Sequence, residues 1–144
     1  MTRISRTLAL SLIVLGGAAL AKEGVTNPVV KARMDTMSTI AMNTKVLGDM
    51  AGGKTAFDAA AATAAKTALA AAAAEAPAKF QPRETDPVSV AKPEIWTNWA
   101  DFVAKAEALA TAAEALDTST LDGVKAGMPA VGGSCKACHS VYRL

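Results

Sequence analysis

An all-α fold, an antiparallel four-helix bundle, is what the apolar pattern of this chain predicts. Three observations lead there. Four segments carry apolar or small residues at three-four spacing, no segment shows the period-two alternation of a strand, and only one connection is long.

The first segment runs from about Asn27 to Met50. Asn27 is placed as an N-cap, and Pro28 takes the first helical position, where its missing N–H costs nothing. Val30, Met34, Met37, Ala41, Thr44 and Leu47 form its inward stripe, and Ala51-Gly52-Gly53 ends it. The second segment, from about Thr55 to Ala76, is so alanine-rich that intrinsic propensity makes the case for helix. Phe57, Ala61, Ala65, Leu69 and Ala72 give it a weak stripe. From Pro77 to Pro93 four prolines and scattered charges describe the long surface connection.

The third helix begins near Pro93-Glu94 and turns Ile95, Trp96, Trp99, Phe102, Val103, Ala106, Leu109, Ala110, Ala113 and Leu116 to one side. Both tryptophans lie on that packing face. Asp117 to Thr120 supplies turn and N-cap chemistry. The fourth helix, from about Ser119 to Tyr142, has the clearest pattern: Leu121, Val124, Met128, Val131, Cys135, Cys138 and Tyr142 alternate gaps of three and four. Pro129 removes a hydrogen bond inside it. Gly132-Gly133 either lets a flat group approach the backbone or breaks the helix in two.

Cys135-Lys136-Ala137-Cys138-His139 contains both cysteines and the only histidine of the chain. Two thiols at this spacing can form thioether links to the two vinyl groups of one haem, and the histidine after them then stands beneath the iron as its proximal ligand. A redox dithiol would need a βαβ context and structural zinc would need four ligands. The sequence offers neither. Because both cysteines lie on the inward stripe, the haem belongs inside the bundle.

At the other end, Arg3 and Arg6 precede an apolar run from Leu8 to Leu20, and Ala19-Leu20-Ala21 has the small-x-small form of a signal-peptidase site. Cleavage after Ala21 leaves residues 22–144 as one haem-binding domain, with no later apolar run suited to a membrane span. Loss of Arg3 and Arg6 brings the 15 basic residues level with the 13 acidic ones, so the mature chain has no basic excess for nucleic acid. The expected destination is the periplasm.

In an antiparallel bundle the end of the fourth helix lies beside the start of the first. The group facing the iron opposite His139 should therefore come from the first turns of the opening helix, which hold Met34 and Met37. Met42 and Met50 lie roughly 8 and 20 Å further along at ~1.5 Å per residue.

The C-terminal position of the motif, the block Ser134 to Arg143, the pattern Lys31-x-Arg33-x-x-x-Met37 and the helix start Lys92-Pro93-Glu94-Ile95-Trp96 closely resemble the class II cytochromes c, the cytochrome c′ family. Matching Arg33, Gly53 and Phe57-Asp58 to the family pattern implies that Met37 holds the distal position, and Val46-Leu47-Gly48 resembles the methionine-ligated, low-spin branch. The resemblance further implies that Arg33 lies near a haem propionate and that Arg143 is the basic residue beside the proximal histidine.

With His139 and Met37 both on iron, the expected function is one-electron transfer with periplasmic redox proteins through a single covalent haem c, and not an enzymatic reaction. The alternative is a five-coordinate cytochrome c′ that binds nitric oxide or carbon monoxide. A peroxidase reading lacks a second histidine. Family members often pair through their first two helices, which allows a homodimer.

Overall fold

The structure, a computed structural model, describes residues 24–144; the expected signal sequence and its cleavage point lie outside the described residues. Helix α1 (Pro28–Ala51) begins as its sequence dictates. The Asn27 side chain accepts from the backbone N–H of Val29 and Val30, with Pro28 at the start. It ends where Gly53 takes a φ of +71°, a conformation that glycine adopts without strain. Helix α2 (Ala59–Phe80) is capped by Asp58, whose carboxylate accepts from Ala61 N–H at 2.8 Å.

Two boundaries of α2 differ from expectation. It starts later than Thr55 because Asp58 supplies the cap, and it runs through Pro77 to Phe80. Pro77 forfeits only its own N–H bond, and the extra turn buries Phe80. The predicted third helix is divided. A single turn, α3 (Glu94–Thr97), is separated from α4 (Trp99–Glu114) by Asn98, whose ψ of 43° leaves the helical region. The last helix, α5 (Leu121–Tyr142), is capped by Thr120 and passes unbroken through Pro129, Gly132 and Gly133. Both glycines are exposed and neither lines the internal cavity, so they mark no break and serve no approach from within.

Around the bundle the order is α1, α2, α4, α5, each helix packing on its two neighbours. No helix among the described residues is long and apolar enough to cross a membrane. One core runs through the end near the two short turns, with Leu47, Leu69, Leu116, Val124 and Val131 at its centre. A second, aromatic core at the opposite end gathers Phe80, Ile95, Phe102 and Tyr142. Of the inward stripe of α1, Val30 and Leu47 are buried, and Val30, Met34, Met37, Ala41 and Thr44 line a cavity beside α5, to which the buried Ile40 also contributes. In α2, Ala65, Leu69 and Ala72 are buried as the stripe predicts, and Ala62 takes the place expected of Ala61.

The long connection, residues 81–93, is fastened from both sides. Asp86, 8% exposed, accepts through Oδ2 from Thr26 N–H at 2.9 Å, Asn27 N–H at 3.0 Å and Thr26 Oγ1 at 3.1 Å, and through Oδ1 from Val88 N–H at 3.1 Å. Backbone N–H bonds from Asn27, Val88 and Thr26 draw its pKa down to about 2. A depressed carboxylate stabilises the fold when ionised. That contribution is complete above the ordinary aspartate value of about 3.9 and disappears as pH falls through about 2. Denaturant midpoints should fall over this acid range, and Asp86→Asn should be weaker at neutral pH and lose less on acidification. At the far end of the connection, Lys92 N–H donates to Tyr142 C=O and Leu144 N–H to Val90 C=O, both at 2.9 Å, around an antiparallel bridge between Ala91 and Arg143.

Candidate haem pocket

Between α1 and α5 lies a cavity of about 710 Å³, within the usual ~300–1,000 Å³ range of cofactor clefts. Met34, Met37, Ile40, Ala41 and Thr44 form the α1 wall. Met128, Ser134, Cys135, Cys138, His139, Tyr142 and Arg143 form the α5 side, with Ala73, Ala76 and Phe80 from α2 and Phe102, Lys105, Ala106 and Leu109 from α4 closing the interior. The three-four spacing of Cys135, Cys138 and Tyr142 brings all three to this wall, as the sequence pattern required. Met37 packs against both cores, so it sits where the two meet.

The charge pattern of the lining is one-sided: Arg33, Lys45, Lys105 and Arg143 contribute to it, and no aspartate or glutamate does. An apolar chamber with cations at its margin suits a flat apolar macrocycle bearing carboxylates. Among the described residues no three His, Cys, Asp or Glu side chains converge as a bare-ion site would need. The residues present therefore fit haem, which brings its own four nitrogens to the iron.

Both cysteines are free and half-buried, and burial pushes each thiol pKa up. Burial lowers the pKa of His139, with the positive charge of Arg143 adding to the effect. Both effects favour the neutral imidazole, the form that ligates metal.

Arg33 is 2% exposed. Its Nε donates to Lys79 C=O at 3.2 Å, Nη1 to Glu84 C=O at 2.7 Å, and Nη2 to Pro82 C=O. The guanidinium also lies 5.4 Å from the Phe80 ring centroid and 5.1 Å from that of Trp96. Desolvation lowers its pKa, opposed by Glu84. Arg33 is thus both part of the cavity wall and the pin that gathers the end of α2 and the start of the long connection.

Sequence reasoning did not find the partners that hold this wall. Tyr142 donates to Asp101 Oδ2 at 2.5 Å, and Lys105 donates to Oδ1 of the same carboxylate at 3.0 Å. The one usable signal was the four-residue step from Asp101 to Lys105, a common helical ion pair. Thr44 Oγ1 is buried in the cavity wall without a hydrogen-bond partner.

A closed ring of four helices around an apolar, cation-edged chamber with a Cys-x-x-Cys-His motif on its wall defines a haem-bearing cytochrome of the helical-bundle class. The chain belongs to the cytochrome c′ family, the class II cytochromes c, whose model matches residues 28–143. Its cofactor is accordingly covalent haem c with iron. Among curated relatives, cytochrome c-556 of Agrobacterium tumefaciens (strain apple 185) is 39% identical over 116 residues, covering 78% of this chain and 92% of the relative. An NMR-validated structural model of oxidized R. palustris cytochrome c556 superposes with a TM-score of 0.73 at 27% identity, over 83% of this chain and 98% of that one. A nitric oxide complex of a cytochrome c prime variant from Alcaligenes xylosoxidans gives a TM-score of 0.71 at 32% identity, over 80% of this chain and 93% of that one.

Proposed function

We propose that this cytochrome is an exported one-electron carrier. Its haem is bonded through Cys135 and Cys138, and its iron is held between His139 and Met37. The observation that carries the reading is the position of Met37 in the same cavity wall system as His139, wedged against both cores. A thioether fixed there favours the ferrous state and leaves no axial position for a substrate. The role of the chain is then to exclude water, hold the ring still and set the potential. Arg33 would meet a propionate with its two remaining N–H groups, one on each Nη, since three of its five donors serve backbone carbonyls. Residues 1–21 would direct export and be removed after Ala21, delivering the carrier to redox proteins of the periplasm.

A second reading is supported by the similarity to the Alcaligenes xylosoxidans protein, a variant of which forms a nitric oxide complex. There Met37 would only cover the iron, and a gas would bind once it moved. The optical spectrum of the ferric holoprotein separates the two: the carrier is low-spin with a weak methionine-to-iron charge-transfer band. A high-spin spectrum with ready carbon monoxide binding in the ferrous state would replace it with the gas-binding reading.

A further inference from the structure

Tyr142 is the only tyrosine of the chain, and it is 3% exposed in the cavity wall. Its hydroxyl, 2.5 Å from Asp101 Oδ2, makes a bond at the short limit for O–H donors to carboxylate. The same hydroxyl reaches Asn98 C=O at 3.4 Å. Lys105 holds the other carboxylate oxygen, so a proton acceptor is fixed on the phenol. On its other side the Tyr142 ring meets the edge of Phe102 at 5.5 Å between centroids, and Phe102 stacks on Trp99 at 5.5 Å. Trp99 is half-buried, so the row leads from the cavity wall to the surface. Neither haem attachment nor axial ligation uses any of these groups.

Tyrosine and tryptophan are the side chains that yield one electron to a strong oxidant, and both do so far more readily when their proton can leave. We propose that Tyr142 and Trp99 form an electron-supplying row that drains oxidising equivalents from the haem site when hydrogen peroxide reaches it. The inference rests on haem occupying this cavity and on peroxide reaching the iron once Met37 gives up its place, as a gas would in the second reading. In the balanced step the O–O bond of hydrogen peroxide breaks to give two waters, which requires two electrons and two protons. Tyr142 supplies one electron as its O–H bond breaks, and its proton passes to Asp101 and on to water. Trp99 supplies the other through Phe102 and releases its indole proton to solvent. The products are a neutral radical on each side chain, and the haem is restored. Burial and then Asp101 push the Tyr142 pKa up to about 12, so the phenol keeps its proton until an electron is withdrawn.

The test is to mix ferric holoprotein with hydrogen peroxide, freeze the mixture within seconds and record its electron paramagnetic resonance, while haem loss is followed by Soret absorbance. With one tyrosine in the chain, a tyrosyl signal has a single origin. The parent should show it. Tyr142→Phe, which keeps the ring against Phe102, should abolish it and bleach haem several-fold faster, whereas Asp101→Asn should lower the radical yield without removing the phenol. Trp99→Phe should keep the tyrosyl signal but leave the second oxidising equivalent at the haem, so bleaching should again be faster than in the parent. No tyrosyl signal in the parent, or equal bleaching in parent and Tyr142→Phe, overturns the inference. A low-spin ferric spectrum alongside that negative result would leave the electron-carrier reading standing, so the two fail separately.

Discussion

Replacing both Cys135 and Cys138 by alanine should release all haem into acid acetone, whereas the parent should retain one haem's mass on the denatured chain. The expected effect is complete because the two kinds of attachment differ in kind. Axial bonds and cavity packing disappear when the helices unfold, but a thioether does not. Each thiol lies on the cavity wall, and burial holds both in the protonated form, so neither is an exposed reactive thiolate awaiting another partner. Single replacements should retain a covalent haem with one link and a shifted spectrum. Covalent haem in the double variant would remove the attachment assignment altogether.

Met37→Ala should convert a low-spin ferric protein into a high-spin one and abolish the methionine charge-transfer band. The potential should fall by on the order of 100 mV, given about 59 mV for each tenfold of lost preference for the ferrous state. Carbon monoxide should bind the ferrous variant faster than the parent, since no ligand then has to leave first. Truncating a buried methionine also costs ~2–5 kcal/mol, and a half-buried one belongs toward the lower end. Far-ultraviolet circular dichroism on the same samples shows whether the helices survive. If parent and variant share one high-spin spectrum, Met37 is only a cover.

Much of this architecture is legible before any coordinates are consulted. Asn27-Pro28 announces α1 through chemistry confined to neighbouring residues, and the seam from Val124 to Tyr142 assigns the wall on which the cysteines stand. Local signals fail where distant groups decide the outcome. Pro77 reads as a stop, yet Phe80 and the bonds of Arg33 carry the helix past it. Asp86 reads as one loop charge among several, but the N–H groups that surround it come largely from the beginning of α1. Arg33 could be matched to a family pattern, but its three carbonyl partners belong to segments 46 to 51 residues away. In alanine-rich α2 the stripe through Ala65, Leu69 and Ala72 was legible, and only Ala62, buried in place of Ala61, was hidden among identical neighbours.

The fastenings around the long connection also have a consequence for how the chain assembles. Both tight turns, at residues 52–58 and 115–120, lie at one end of the bundle, while Cys135 to His139 lie toward the other. Helical hairpins gain contacts most cheaply from their turns outward, because each step closes little additional chain. The links from Arg33 and from Thr26 to Asp86, spanning up to 60 residues, should therefore form late, together with the Ala91–Arg143 bridge. Until that last closure the attachment motif remains an open cleft between two half-zipped hairpins. On that order of assembly, the same knots that seal the mature pocket would leave a window during biogenesis for a bulky macrocycle to be loaded from the side.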